Sequence, residues 1–232
     1  MASKALTLPN TTIGKKAIMA VSSIMLMLFV VAHLSGNLLM FAGRDAMNEY
    51  ANFLRDVGHG APIWILRGLM IAAILGHLYG AFTLTARNKA ARPVAYQRKH
   101  SRESTLASRT MFWGGLTLLL YIAYHLAHFT FHVGVPGGVV ELAPGAYEHI
   151  TVDVYAMVLS SFQNPVIAGI YILAQLALGL HLYHGAWSFM QTLGVSHRRY
   201  NEGRRLFAAA FAGLISVGFI TIPVAVLAGI VN

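Results

Sequence analysis

Eleven histidines are the residues of this 232-residue chain best able to do chemistry, and they are not scattered evenly. Four long apolar stretches each hold at least one deep inside: His33, His77, His125 or His128, and His181 or His184. A lone histidine in such a stretch is explained about as well by a packing hydrogen bond as by a ligand role. Four stretches with one each ask for a shared reason, because an ionisable group held away from water is costly and is retained for function. The chain contains no cysteine, which excludes disulfides and thiolate-held clusters. Imidazole nitrogen is then the metal ligand on offer.

Position along the stretches sorts these histidines into two levels. His33 lies 17 residues beyond Lys16, and His125 lies 16 beyond Arg109. Running the opposite way, His77 follows Pro62 by 15 residues and His181 follows Pro165 by 16. At a helical rise of about 1.5 Å per residue, the first pair sits ~25 Å and the second ~15 Å from one membrane edge, two sites stacked ~10 Å apart. Two neutral imidazoles on facing helices form a bis-histidine clamp for heme iron, suited to electron transfer. Non-covalent heme b is the natural cargo, since covalent attachment needs a C-x-x-C-H motif. Zinc fits less well, because each level offers two clear nitrogens and the stretches hold no carboxylate. His128, His132 and His184 lie within one or two turns of these residues and leave the choice of ligand open on spacing alone. Gly36, Gly76, Gly80, Gly179 and Gly185 flank them and could make room for a flat macrocycle or for close helix packing.

The elements that must position these side chains are helices across a membrane. Hydrophobic residues make up 56% of the chain against 11% charged, and the mean hydropathy is +0.60. Five stretches are long enough for a hydrocarbon core of about 30 Å: about 17–42, 62–86, 110–133, 165–190 and 206–230. The expected fold is an all-α integral membrane protein of five transmembrane helices, the first four forming the heme-binding bundle in one domain spanning 1–232. The polar N-terminal segment does not resemble a secretory signal, so the first span is expected to be retained. Fourteen of the 17 Lys and Arg fall on one side of the spans, leaving Arg44, Arg55 and Arg67 on the other. The positive-inside rule then places the N-terminus in the cytoplasm and the C-terminus outside. The net charge of +9 serves orientation rather than nucleic-acid binding.

The stretch HLSGNLLMFAGRDAMNEYANFLR, residues 33–55, resembles the first-helix signature of the cytochrome b subunit of succinate dehydrogenases and fumarate reductases, in the group with one five-helix, diheme anchor. LRGLMIAAILGHLYGAFTLTARNKAARPVAY (66–96), YHLAHF (124–129) and HLYHGAWSF (181–189) extend the likeness in order over nearly the whole chain. The resemblance implies a distal heme held by His33 and His125 and a proximal heme held by His77 and His181, preferring His125 to His128 and His181 to His184. Gly179 stands where some fumarate reductases of this group carry a glutamate for transmembrane proton movement, so that pathway is not expected.

The same resemblance implies a non-catalytic subunit of a bacterial cytoplasmic-membrane enzyme. Its partners would be a flavoprotein with FAD and an iron–sulfur protein on the cytoplasmic face, with membrane lipid around it and a homo-oligomer of the whole complex allowed. The two-heme type favours menaquinone over ubiquinone as the quinone substrate. Asn48, Glu49, Tyr50, His59 and Arg67, where the first two spans meet, supply the donors and proton source that a reducible quinone needs. Arg67 could equally meet a heme propionate or extend to the surface. Two rivals stand beside this reading: the diheme cytochrome b of a hydrogenase or formate dehydrogenase, and a heme-free anchor or transporter with histidine relays.

Overall fold

The computed structural model describes residues 7–92, 94 and 104–232. Of the basic residues used for orientation, Lys4, Arg98, Lys99 and Arg102 lie outside the described residues, as do residues 93, 95 and 96 of the resembling segment. Seven α-helices follow one another: α1 Thr12–Asn37, α2 Arg44–Asp56, α3 Ala61–Ala90, α4 Leu106–Phe129, α5 Val154–Gln163, α6 Pro165–Thr192 and α7 Asn201–Leu227. Among the described residues there is no strand beyond one isolated bridge between Glu141 and Val152. α1, α3, α4, α6 and α7 are long and apolar enough to cross a membrane, so the chain is an all-α, multi-pass membrane protein. Their lipid-facing surfaces carry exposed Leu28, Ile71, Leu75, Leu120, Leu173 and Leu214.

Each spanning helix starts earlier than its apolar run suggests, except α6, because a helix begins at its cap rather than where hydrocarbon begins. Thr11 Oγ1 accepts from the Gly14 N–H at 2.9 Å to start α1, and Thr105 Oγ1 accepts from Ser108 N–H at 3.2 Å to start α4. Asn164 caps α6, whose first residue is Pro165, a position where the missing N–H costs nothing. α4 stops at Phe129, four residues before the expected end, where the backbone turns through His132 at φ 59° and Gly134 at φ 76°. α2 and α5 are not foreseen by the apolar pattern, since α2 carries five charged residues and α5 spans only 10 residues.

α1 packs along α3, and α6 packs along α4 and α7, while α1 touches both α6 and α7. α3 and α4 make no extended contact and meet through the Phe82 and Phe112 rings, 6.3 Å apart. Association of helices in lipid depends on close packing rather than on the hydrophobic effect, and small residues permit it. A Cβ on Gly80 would stand 3.0 Å from Met19 Cβ and 3.3 Å from the Lys15 carbonyl oxygen; one on Gly179 would stand 2.6 Å from Ser216 Oγ. At the basic end, Arg87 ties α3 to the start of α1, donating to the Asn10 carbonyl at 2.6 Å and to Thr12 Oγ1 at 3.0 Å.

The opposite end is closed by α2 and α5 around a buried charge. Asp153, with no exposed side-chain surface, accepts from Arg44 at 2.5 Å, from Asn48 Nδ2 at 3.0 Å and from the Ala156 N–H at 2.9 Å. Asn48 Oδ1 in turn accepts from the backbone N–H of Val154 at 2.9 Å and of Tyr155 at 3.3 Å. Burial alone would raise the Asp153 pKa, but the Ala156 N–H, the Asn48 amide and the Arg44 guanidinium together hold it below the ordinary carboxylate value.

Two outcomes follow from this packing. Gly80→Ala, forced against backbone across the α1–α3 seam, should cost about 1–3 kcal/mol, whereas Gly68→Ala, with open space around its Cβ position, should be neutral; thermal midpoints in detergent measure both. Asp153→Asn should cost about 2–3 kcal/mol at pH 7. Because the folded pKa is depressed, the carboxylate's stabilisation is present above the unfolded pKa and lost as pH falls through that value toward the folded one. The gap in midpoint between wild type and Asp153→Asn should therefore close on acidification below about pH 4.

Candidate paired-histidine centre

The histidines come together in two pairs, each across the diagonal of the bundle. The His33 ring on α1 and the His125 ring on α4 have centroids 5.8 Å apart, and those of His77 on α3 and His181 on α6 are 6.0 Å apart. Among the described residues neither α1 with α4 nor α3 with α6 packs extensively side by side, and the paired imidazoles reach across the gap. Two imidazoles sharing one metal, with bonds of about 2.0 Å on each side, have centroids about 6.4 Å apart, close to both values. Among the described residues no three His, Asp or Glu side chains converge. A metal held by two imidazoles must bring its remaining ligands with it, as iron in a macrocycle does, whereas zinc would want two more from the protein.

Hydrogen bonds set which nitrogens are available. Ser23 Oγ spends its one proton on the Met19 carbonyl at 2.6 Å, so in its 3.3 Å contact with His77 the Nδ1–H donates to Ser23. The lone pair of His77 then resides on Nε2, the arrangement a second hydrogen bond imposes on metal-ligating histidines. The buried Nδ1 atoms of His125 and His181 have no hydrogen-bond partner. His33 stacks on Phe29 at 5.3 Å and touches Phe219 of α7 at 5.8 Å, while Tyr121 and Phe129 flank His125 at 5.8 and 5.6 Å. These rings flank the half-buried His33/His125 pair.

His128 differs in kind. It is 1% exposed, with Nδ1 2.9 Å from the Tyr171 hydroxyl and Nε2 3.2 Å from Ser161 Oγ. Ser161 donates its proton to the Met157 carbonyl at 2.6 Å, so His128 Nε2–H donates to Ser161 and Tyr171 donates to Nδ1. Both nitrogens are spent in joining α4, α5 and α6. His184 is half-buried one turn beyond His181, and His132 is exposed in the turn after α4.

Of the five flanking glycines, four serve packing: Gly36 against the Tyr50 ring, Gly76 and Gly80 against α1, and Gly179 against Ser216. Gly185 has open space beside it. The small residues next to an imidazole are instead on α4, where a Cβ on Gly115 would stand 3.5 Å from His181 Cε1 and Gly114 lines a recess with His181. Adjacent glycines inside a helix were the available signal for that recess. Nothing in the histidine pattern pointed to Phe219, because α7 carries no histidine.

The five residues at the junction of the first two spans do not form one constellation: among the described residues no hydrogen bond or ring contact joins them to each other. Asn48 is 1% exposed and spends its amide on Asp153 and the α5 backbone. Tyr50 is half-buried against Gly36. His59 is exposed in the turn between Gly58 and Gly60, at φ 53°. Glu49 is exposed on α2, and Arg67, also exposed, lies over the Trp64 ring at 4.7 Å on α3.

No protein-family model matches the chain, no characterised protein matches it in sequence, and no solved structure matches it in fold.

His128→Ala should strand Tyr171 and Ser161 and open a buried void, lowering stability by about 2–4 kcal/mol. His184→Ala, at a half-buried position, should cost less than half of that, as read from thermal midpoints in the same detergent.

Proposed function

We propose that the chain is the membrane anchor and diheme cytochrome b subunit of a succinate:quinone oxidoreductase, serving electron exchange between an iron–sulfur subunit and a membrane quinone, with menaquinone favoured. The observation that supports this most is the meeting of His33 with His125 and of His77 with His181 across the bundle diagonals, at separations suited to a shared iron. The family resemblance of residues 33–55, 66–96, 124–129 and 181–189 supplies the enzyme and the partners: a flavoprotein with FAD and an iron–sulfur protein. Heme b, if held by these paired imidazoles, would supply one-electron chemistry.

The chain's own part is positional. His33, His77, His125 and His181 would hold the iron, and Ser23 fixes the tautomer of His77. Phe29, Phe219, Tyr121 and Phe129 place apolar and aromatic surface around the His33/His125 pair, which would favour the less charged state of a bound cofactor. His128 keeps α4, α5 and α6 in register so that His125 faces His33. At the edge closed by α2, Glu49 is an exposed carboxylate able to take up or release the protons of quinone chemistry, and Arg67 is an exposed cation on α3; Asn48 is committed to Asp153. The 14 basic residues on one side of the spans support a cytoplasmic N-terminus in a bacterial inner membrane.

A redox-difference spectrum of the purified complex, with heme quantified per chain, tests this reading. The expected result is two low-spin b hemes per chain, reduced by succinate and reoxidised by quinone. His125→Ala and His181→Ala should each remove one heme, whereas His184→Ala should leave both. No heme in the assembled complex would leave the heme-free anchor or transporter standing. Two hemes co-purifying with a nickel or molybdenum protein, in place of a flavoprotein, would move the chain to another membrane oxidoreductase.

A further inference from the structure

Among the described residues, no group neutralises the buried cation in the first turn of α7. Arg204 is 5% exposed, and its guanidinium lies over the Trp187 ring of α6 at 4.3 Å. Nη2 donates to Asn201 Oδ1, while Nε and Nη1 are buried with no hydrogen-bond partner. Among the described residues no carboxylate forms an ion pair with it, and Glu202, the acidic residue of the same turn, is exposed. A guanidinium shielded from water with two donors idle is costly unless an anion meets it.

The surroundings select the kind of anion. No side chain caps the N-terminus of α7, so its first backbone N–H groups are open at the positive end of a 27-residue helix. Arg205 also lies over the Trp187 ring, at 5.2 Å, and His197, Arg198 and Arg199 precede the helix. Carboxylate, phosphate and sulfate would all suit these donors, but α7 crosses the membrane, so its first turn lies at headgroup level, where tryptophan also concentrates. From there exposed Leu206, Phe207 and Leu214 run along α7 toward the hydrocarbon, a surface for acyl chains.

We propose that Arg204, with the open N-terminus of α7, is a site for the phosphate of an anionic phospholipid whose acyl chains lie along Phe207 and Leu214. Nε and Nη1 lie on different edges of the guanidinium, so each offers a separate charge-assisted donor to a phosphate oxygen, a spread of donors that the compact ammonium of lysine does not reproduce. The site is independent of the histidine pairs and of the reading built on them.

The full chain, purified in detergent and stripped of lipid, is titrated with three probes while its thermal midpoint is followed: dioleoyl-phosphatidylglycerol, dioleoylglycerol and glycerol phosphate. Only phosphatidylglycerol, with both phosphate and chains, should raise the midpoint saturably. Its affinity should fall about tenfold or more in Arg204→Gln and less than about threefold in Arg205→Gln. Equal losses in the two variants would mean a diffuse positive surface and overturn the proposal. So would full protection by dioleoylglycerol, protection by glycerol phosphate alone, or no protection by any probe, the last pointing to a carboxylate of a partner protein. If Arg204→Gln does not fold, Arg204→Lys decides: weaker binding than wild type supports a contact specific to the guanidinium, and unchanged binding overturns it.

Discussion

Two imidazoles that meet across the diagonal of a helical bundle hold their separation only if the helices behind them cannot shift, and the rest of this molecule is arranged around that constraint. The pairs join α1 to α4 and α3 to α6, helices that do not pack extensively on each other, so their geometry is set indirectly through α1 against α3 and α4 against α6. In a membrane such seams draw little from the hydrophobic effect and rely on van der Waals contact between close surfaces. That is why the glycines beside the histidines face neighbouring helices: Gly80 lets α1 approach α3, and Gly179 lets α7 approach α6. They serve the histidines by placing helices rather than by lining a cavity.

Polar groups reinforce this packing where an apolar contact would be too permissive. His128, Tyr171 and Ser161 form a buried, fully satisfied set that admits one arrangement of α4, α5 and α6, and Gln175 Nε2 adds a bond to Tyr121 at 3.0 Å one level deeper. Such bonds contribute modestly to stability in lipid but penalise any register that leaves a partner bare. Asp153 does the same at the end of the bundle, where one carboxylate caps α5, binds α2 and takes the charge of Arg44. Arg204 contrasts with it, being also buried but without a counter-ion among the described residues. One buried charge is satisfied three times over within the described fold, and the other is left for a group outside it.

The histidine pairing was legible in the sequence because a membrane supplies an external ruler. Helices of known rise start and stop at two parallel planes, so counting residues from Lys16, Arg109, Pro62 and Pro165 compares depths on different helices without a structure. The spans themselves were legible for the same reason, apart from their caps, which lie beyond the apolar runs. Depth carries no information about rotation around a helix axis or about hydrogen-bond partners. His125 and His128 therefore looked equivalent in spacing, and only the fold, by bringing Tyr171 and Ser161 to His128, left one of them with a nitrogen to spare. Likewise Asn48 read as an available donor beside Glu49 until Asp153, 105 residues away, was seen to use it. α2 and α5 lacked a signal because one is too polar and the other too short to register as a span, and the buried state of Arg204 depends on Trp187 from a different helix. Composition and periodic depth were set by the solvent the chain must cross; which polar group is free and which is spent was decided by contacts between residues far apart in the chain.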